Sequence, residues 1–136
     1  MKVKSVDQMR SEEKDRCIIG DGFESIRFIL MSDNMGFSLH KTIIPKGGPY
    51  HWHYKHHKEA CFCVSGHGIL KNLDNGSDYV INKDSIYILD SHDNHEFTAI
   101  EDVELISVFN PPVIGNEIHD NEGSYPSPYA NRQSQW

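Results

Sequence analysis

From residue 26 onward the chain is a succession of short runs rich in Val, Ile, Phe and Tyr: IRFILM, FSLHKTII, ACFCVS, GILKNL, YVIN, SIYILD, EFTAI and VELISVF. Gly, Asn and Asp break them, and no stretch with a helical repeat comes between. Residues of this kind fit a pleated, half-buried surface, so the apolar faces must be buried strand against strand. The expected class is all-β, a sandwich or barrel, and the number of runs suits a double-sheet jelly roll. Pro45, Gly47, Gly48 and Pro49 close one connection, and Asp74-Asn75-Gly76 supplies the residues a tight hairpin needs. Before the strands, Ser5 with Gln8 three residues later has the form of a capping box, so a short helical turn is expected over Val6 to Arg10. After Asn110 the chain is Pro-rich and then polar. That segment is expected outside the core, with its last residues loose.

A length of 136 residues fits one domain, expected to span 1–136 with a core over about 20–120 and a C-terminal tail over about 121–136. Thirteen Lys and Arg against 20 Asp and Glu give a net charge of -7. That balance argues against a nucleic-acid footprint or a polybasic membrane surface and leaves a small molecule as the expected partner. Three cysteines, Cys17, Cys61 and Cys63, cannot all pair internally. Together with an N-terminal stretch that lacks a signal-peptide apolar run, this makes reduced thiols in a cytoplasm the economical expectation.

Nine histidines are many for this length, and His51, His53, His56 and His57 fall within seven residues, with Glu59 just beyond. Nitrogen and carboxylate donors in that density suit Fe, Zn, Ni or Mn, although a solvated loop HWHYKHHKE would read the same way. Strand parity adds a constraint. His40 and Thr42 share a face, as do Ser107 and Phe109, and Glu117 and His119, while Cys61 and Cys63 share the parity of Glu59.

The run that Glu59 opens is more specific. EACFCVSGHG resembles the end of the first cupin motif, a ligand Glu opening a strand that closes at a Gly-containing turn, here Gly66. DSIYILDSHDNHEF resembles the second motif, with His95 at the ligand position. The fold this implies is a cupin-type double-stranded β-helix. The match has departures. Five residues separate the His51 and His53 pair from Glu59, more than the usual histidine pair allows, and a one-residue slip turns a strand side chain to the opposite face. Asp90 and His92 replace the usual Pro and Gly of the second motif.

These departures resemble one family. From VKSVDQMR and GFESIRFIL through MGFSLHKTII and YKHHKEACFCVSGHG to VFNPPVIGNEIHDNEGSYP, the chain is similar to ectoine synthases. The resemblance implies a dimeric, iron(II)-binding cupin, with Zn, Mn or Ni as alternative ions. It also implies an enzyme that closes N-γ-acetyl-2,4-diaminobutyrate into ectoine with loss of water. It assigns the metal to Glu59, Tyr87 and His95, and the substrate surroundings to Phe23, Arg27, His40, Thr42, Tyr54, Ser107, Phe109, Glu117 and His119. Phe23, Ser107 and His40 replace a Trp, a Cys and another polar residue that the family usually carries. Within this set Arg27 is the expected anchor for a carboxylate, and Tyr54, Glu117 and His119 are the expected proton carriers. The alternatives are another metal cupin, such as a lyase or dioxygenase using His51 or His53 beside Glu59 and His95, and a non-catalytic small-molecule-binding cupin.

Overall fold

The computed structural model describes residues 1–129 of the chain; the last part of the expected loose terminus, residues 130–136, lies outside the described residues. All eight runs read from the sequence are strands. Two more were not legible as such, giving β1 (Cys17–Gly20), β2 (Phe23–Ile29), β3 (Ser38–Ile44), β4 (Gly47–Trp52), β5 (Lys58–Ser65), β6 (Gly68–Asn72), β7 (Asp78–Ile81), β8 (Ile86–Leu89), β9 (His95–Ala99) and β10 (Val103–Asn110). Before them stands α1 (Val6–Glu12), capped as expected by the Ser5 side chain, which accepts from the Gln8 amide, and running two residues beyond the expected turn. Its Met9 is fully buried, so the core begins earlier than residue 20.

The strands form two antiparallel sheets, one of order β1-β2-β3-β10-β5-β8 and one of order β4-β9-β6-β7. Alternation decides what each contributes. On β5 Glu59, Cys61 and Cys63 are buried while Phe62 and Val64 are exposed, and on β10 Val103, Leu105, Ser107 and Phe109 are buried. With Tyr87 and Leu89 of β8 and His95, Phe97 and Ala99 of β9, these side chains fill one interior between the sheets.

Two turns carry the geometry. Between β6 and β7 the Asn72 and Asn75 side chains accept from the Asp74 and Ser77 amides, and Gly76 takes φ +78. After β5, Gly66 has φ +79, and a Cβ there would collide with the Asp102 carbonyl, so the turn that closes the first motif admits only glycine.

The segment after Asn110 departs from expectation. Its described residues form no strand, yet they lie against the core as a strap: Val113, Glu117, Ser124 and Tyr125 are buried. Among the described residues its proline-containing backbone joins no ladder; isolated main-chain bonds, from the Met31 amide to the Val113 carbonyl and from the His53 amide to the Gly123 carbonyl, hold it together with side chains. Arg27 on β2, without solvent exposure, donates to the Gly115 carbonyl at 2.9 Å and the Glu117 carbonyl at 2.7 Å. The Glu117 carboxylate accepts from the Ile114 and Gly115 amides, each at 2.7 Å. Asp120 accepts from the Glu122 and Ser124 amides.

Candidate active site

At the centre of the interior is a cavity of about 20 Å³ lined by Phe23, Thr42, Trp52, Tyr54, Glu59, Tyr87, Ser107, Phe109, His119 and Tyr125, with Ile44 and Leu105 behind them. Most of the residues expected at the site therefore converge here, against an aromatic wall: Phe23, Thr42, Tyr54, Glu59, Tyr87, Ser107, Phe109 and His119. Tyr87 also faces a wider groove of about 480 Å³ between β7 and β8, which His95 lines.

Of the three expected metal ligands, register brings Glu59 and Tyr87 together, while His95 lines the outer groove beside Tyr87 and not the central cavity. Cys61 stands opposite Tyr87 and Glu59 opposite Leu89 in the β5–β8 pairing, which puts Glu59 and Tyr87 on one face one pleat apart. Burial pushes the Glu59 carboxyl up to about 8, only partly offset by hydrogen bonds from Cys61 and Ser107. Burial likewise raises Tyr87 well above its usual range, and the buried His95 imidazole is lowered to about 4. His95 Nδ1 donates to the Asp93 carbonyl at 2.9 Å. A carbonyl only accepts, so the proton resides on Nδ1 and the Nε2 lone pair is left free, the arrangement that aims a histidine at an ion. A buried carboxylate with uncharged neighbours and a histidine so oriented fit a cation. Among the described residues no three His, Cys, Asp or Glu side chains cluster around one ion position, so a site built here needs an oxygen of another kind, such as the Tyr87 phenol.

The opposite wall carries proton chemistry. Tyr54 Oη lies 2.7 Å from His119 Nε2, and the imidazole is stacked between Trp52 and Tyr125 with centroids at 5.4 and 4.7 Å. Desolvation lowers His119 to about 3 and pushes Tyr54 well above its usual 10, so both are neutral. His119 Nδ1 is buried without a hydrogen-bond partner.

The remaining expected contacts sit behind this wall. Arg27 spends its guanidinium on the strap, on Ser25 at 3.2 Å and on the Tyr125 hydroxyl at 3.4 Å, which leaves little for a substrate carboxylate. Glu117 is engaged by two backbone amides and lies 3.9 Å from Arg27, which makes it a tie for the strap and not a free proton carrier. His40 stacks on Phe109, centroids 5.1 Å apart, and shares its Nδ1 with Ser25. His51 is exposed and His53 half-buried, whereas Trp52 between them faces inward. Two aromatic wall residues, Trp52 and Tyr125, were not singled out from the sequence. His57 lies outside the cavity lining, edge-on to Phe109, with both ring nitrogens buried and without partners. His57 carried a signal in the sequence as a member of the histidine run.

A two-sheet antiparallel barrel with a carboxylate, a phenol and a histidine turned inward is a cupin, and a cupin 2 conserved barrel domain protein from Salinispora arenicola superimposes with a TM-score of 0.62 at 14% identity, over 80% of this chain and 87% of that one. Likeness of that kind establishes the fold alone. Closer comparison is more specific. The ectoine synthase family profile matches residues 1–129. The L-ectoine synthase of Saccharophagus degradans is 46% identical over 116 residues, 85% of this chain and 88% of the relative. The crystal structure of ectoine synthase from P. lautus superimposes with a TM-score of 0.81 at 36% identity, over 90% of this chain and 87% of that one. The chain belongs to the ectoine synthase family.

Proposed function

We propose that this chain is a hydro-lyase that closes N-γ-acetyl-L-2,4-diaminobutyrate into ectoine, forming a bond from the α-amine nitrogen to the amide carbon and releasing the amide oxygen as water. The observation that carries the reading is the Tyr54–His119 hydrogen bond within the same small cavity that Glu59 and Tyr87 line.

Glu59, Tyr87 and His95 would hold the ion, read as Fe2+ with Zn2+, Mn2+ or Ni2+ also accommodated by such donors. When bound, the ion supplies Lewis acidity toward the amide oxygen, a poor leaving group. The side chains do the rest. The nitrogens must shed two protons in all, and the amide oxygen must gain both to leave as water. Tyr54 and His119 can take a proton at one end of their hydrogen bond and release one at the other, so neither bears a lasting charge in a dry cavity. Phe23, Trp52, Phe109 and Tyr125 enclose only about 20 Å³, so they must part to admit the substrate; packed around it, they would fold it on itself, trading its conformational freedom for proximity of amine and carbonyl. The same walls exclude bulk water, which would otherwise favour hydrolysis of the amide over ring closure.

We read the assembly as a homodimer. β8 lies at the end of its sheet with Ile86 and Ile88 exposed, and an edge strand with apolar side chains invites pairing. All three thiols are free, which suits a reducing cytoplasm, and among the described residues no helix is long and apolar enough to cross a membrane.

The test is incubation of iron-loaded and chelator-treated protein with N-γ-acetyl-L-2,4-diaminobutyrate, with the products read by NMR. Ectoine formation that depends on the ion supports the reading. Tight binding of the compound without turnover in either preparation would assign the chain to the non-catalytic class.

A further inference from the structure

We propose that Trp52 is a positioning residue for His119: its indole face holds the imidazole in line with Tyr54 and stabilises the positive charge that the ring carries while a proton passes through it. The proposal rests on the reading of Tyr54 and His119 as the proton-carrying pair, and names the residue that pair depends on.

Trp52 ends β4, stands opposite His95 of β9 and is buried. Its ring stacks on two neighbours, Tyr50 with centroids 5.8 Å and planes 12° apart, and His119 at 5.4 Å and 21°. Tyr125 stacks on the same imidazole at 4.7 Å and 10°, and Phe23 meets it edge-on at 4.8 Å and 72°. The hydrogen bond to Tyr54 Oη then fixes the rotation of the ring in its own plane. The backbone is built for this contact. Gly123 of the strap passes so close to β4 that a Cβ there would come within 2.7 Å of the Trp52 Cα, and its carbonyl accepts from the His53 amide at 2.8 Å. The strap is thereby pinned across Trp52, and His119 is carried onto the indole.

The stack meets a need that burial creates. Desolvation keeps His119 neutral at rest, so the ring can take up charge only where something other than water receives it. Tyr54 occupies Nε2, and Nδ1 is buried with no partner in the protein. With a substrate group at Nδ1, the imidazole holds a proton on each nitrogen at the moment of transfer and is then a cation. An aromatic face attracts a cation through its quadrupole, Trp most strongly. Tyr125 is less able to do so, because the Arg27 guanidinium already lies over its ring, 5.4 Å from the centroid. The indole is the better-placed face.

The experiment uses the full iron-loaded chain with N-γ-acetyl-L-2,4-diaminobutyrate, NMR detection of ectoine, and iron content measured in every preparation. Trp52→Leu, apolar but without a π face, is expected to lose about 10–30-fold in kcat at unchanged KM and iron content, and Trp52→Phe to recover most of that loss. A second series keeps the shape of the side chain. The chain has two tryptophans, so Trp136→Phe leaves Trp52 alone, and tryptophan bearing one, two or three ring fluorines can be incorporated there. Fluorine withdraws negative charge from the ring face at little change in size, so kcat should fall stepwise with each one. This series carries the test should Trp52→Leu fail to give a native circular-dichroism spectrum. A kcat indifferent to fluorination, or Leu and Phe variants alike with the loss confined to KM, would overturn the proposal and leave Trp52 a substrate wall alone. Iron lost in step with kcat would also overturn it, since Trp52 meets His95 at 6.5 Å and would then act through the ion site. Absence of ectoine from the unaltered protein would overturn the reading of the reaction itself, a result seen before any variant is compared.

Discussion

Tyr54 Oη stands 2.7 Å from His119 Nε2, joining a residue between β4 and β5 to one on the strap 65 positions later. Neither group is a useful acid or base alone, since burial drives the phenol up and the imidazole down. They are expected to act as a unit.

Tyr54→Phe and His119→Ala should each lower kcat by about 10²–10⁴-fold. Because the pair acts together, the double variant should cost little more than either change alone. Steady-state kinetics with NMR detection of ectoine provides the check. Independent, multiplying losses would mean that the two groups serve separate steps.

Arg27 is a fastener and its removal should be read in stability. Arg27→Ala strands the Glu117 carboxylate, the buried Glu117 carbonyl and the partly buried Gly115 carbonyl, and breaking a buried pair in this way costs about 3–5 kcal/mol. Arg27→Lys should recover little, since an ammonium lacks the guanidinium's fork. Urea denaturation measures the loss, and hydrogen exchange should show faster opening along residues 113–125. A large KM increase at unchanged stability would instead restore Arg27 as the carboxylate anchor expected from the sequence.

Metal-free protein should be most stable near pH 6.5, by opposing linkages. His40, His57, His95 and His119 are buried with lowered values, about 4 for His57 and His95 and about 3 for His119. Each is neutral in the fold but takes a proton in the unfolded chain below the ordinary 6.5, so its contribution is complete above that pH and drains away as pH falls toward 4. Glu59 works in reverse. Raised from 4.5 to about 8, it holds a proton in the fold that the unfolded chain has lost, so its contribution is lost as pH rises through 8. Between 4.5 and 6.5 four imidazoles outweigh one carboxyl and stability climbs with pH; between 6.5 and 8 the carboxyl alone acts and stability declines. Thermal melting across this window measures both arms.

Much of the fold is legible in the sequence because period-two alternation carries it. Parity alone places Ser107 with Phe109 and Cys61 with Glu59, and each pair shares the interior. The strand β4, GGPYHW, is not legible: its glycines and proline lack strand propensity, and pairing with β9 alone holds it, across a shift in register. The strap misleads for a related reason. Proline-containing, polar sequence looks external, and only the three-dimensional position of Arg27 shows what ties it down. Tyr125 and Trp52 carry no periodic or motif signal, so their place in the wall emerges only from packing.

The central claim is that Glu59, Tyr87 and His95 hold the ion that ring closure requires, with His51 and His53 uninvolved. The most direct measurement is metal content per chain in purified Tyr87→Phe and His53→Ala after identical iron loading. The account predicts that Tyr87→Phe emerges depleted while His53→Ala retains the full complement. A metal-free His53→Ala beside an iron-replete Tyr87→Phe would contradict it and return the site to a histidine-carboxylate-histidine arrangement.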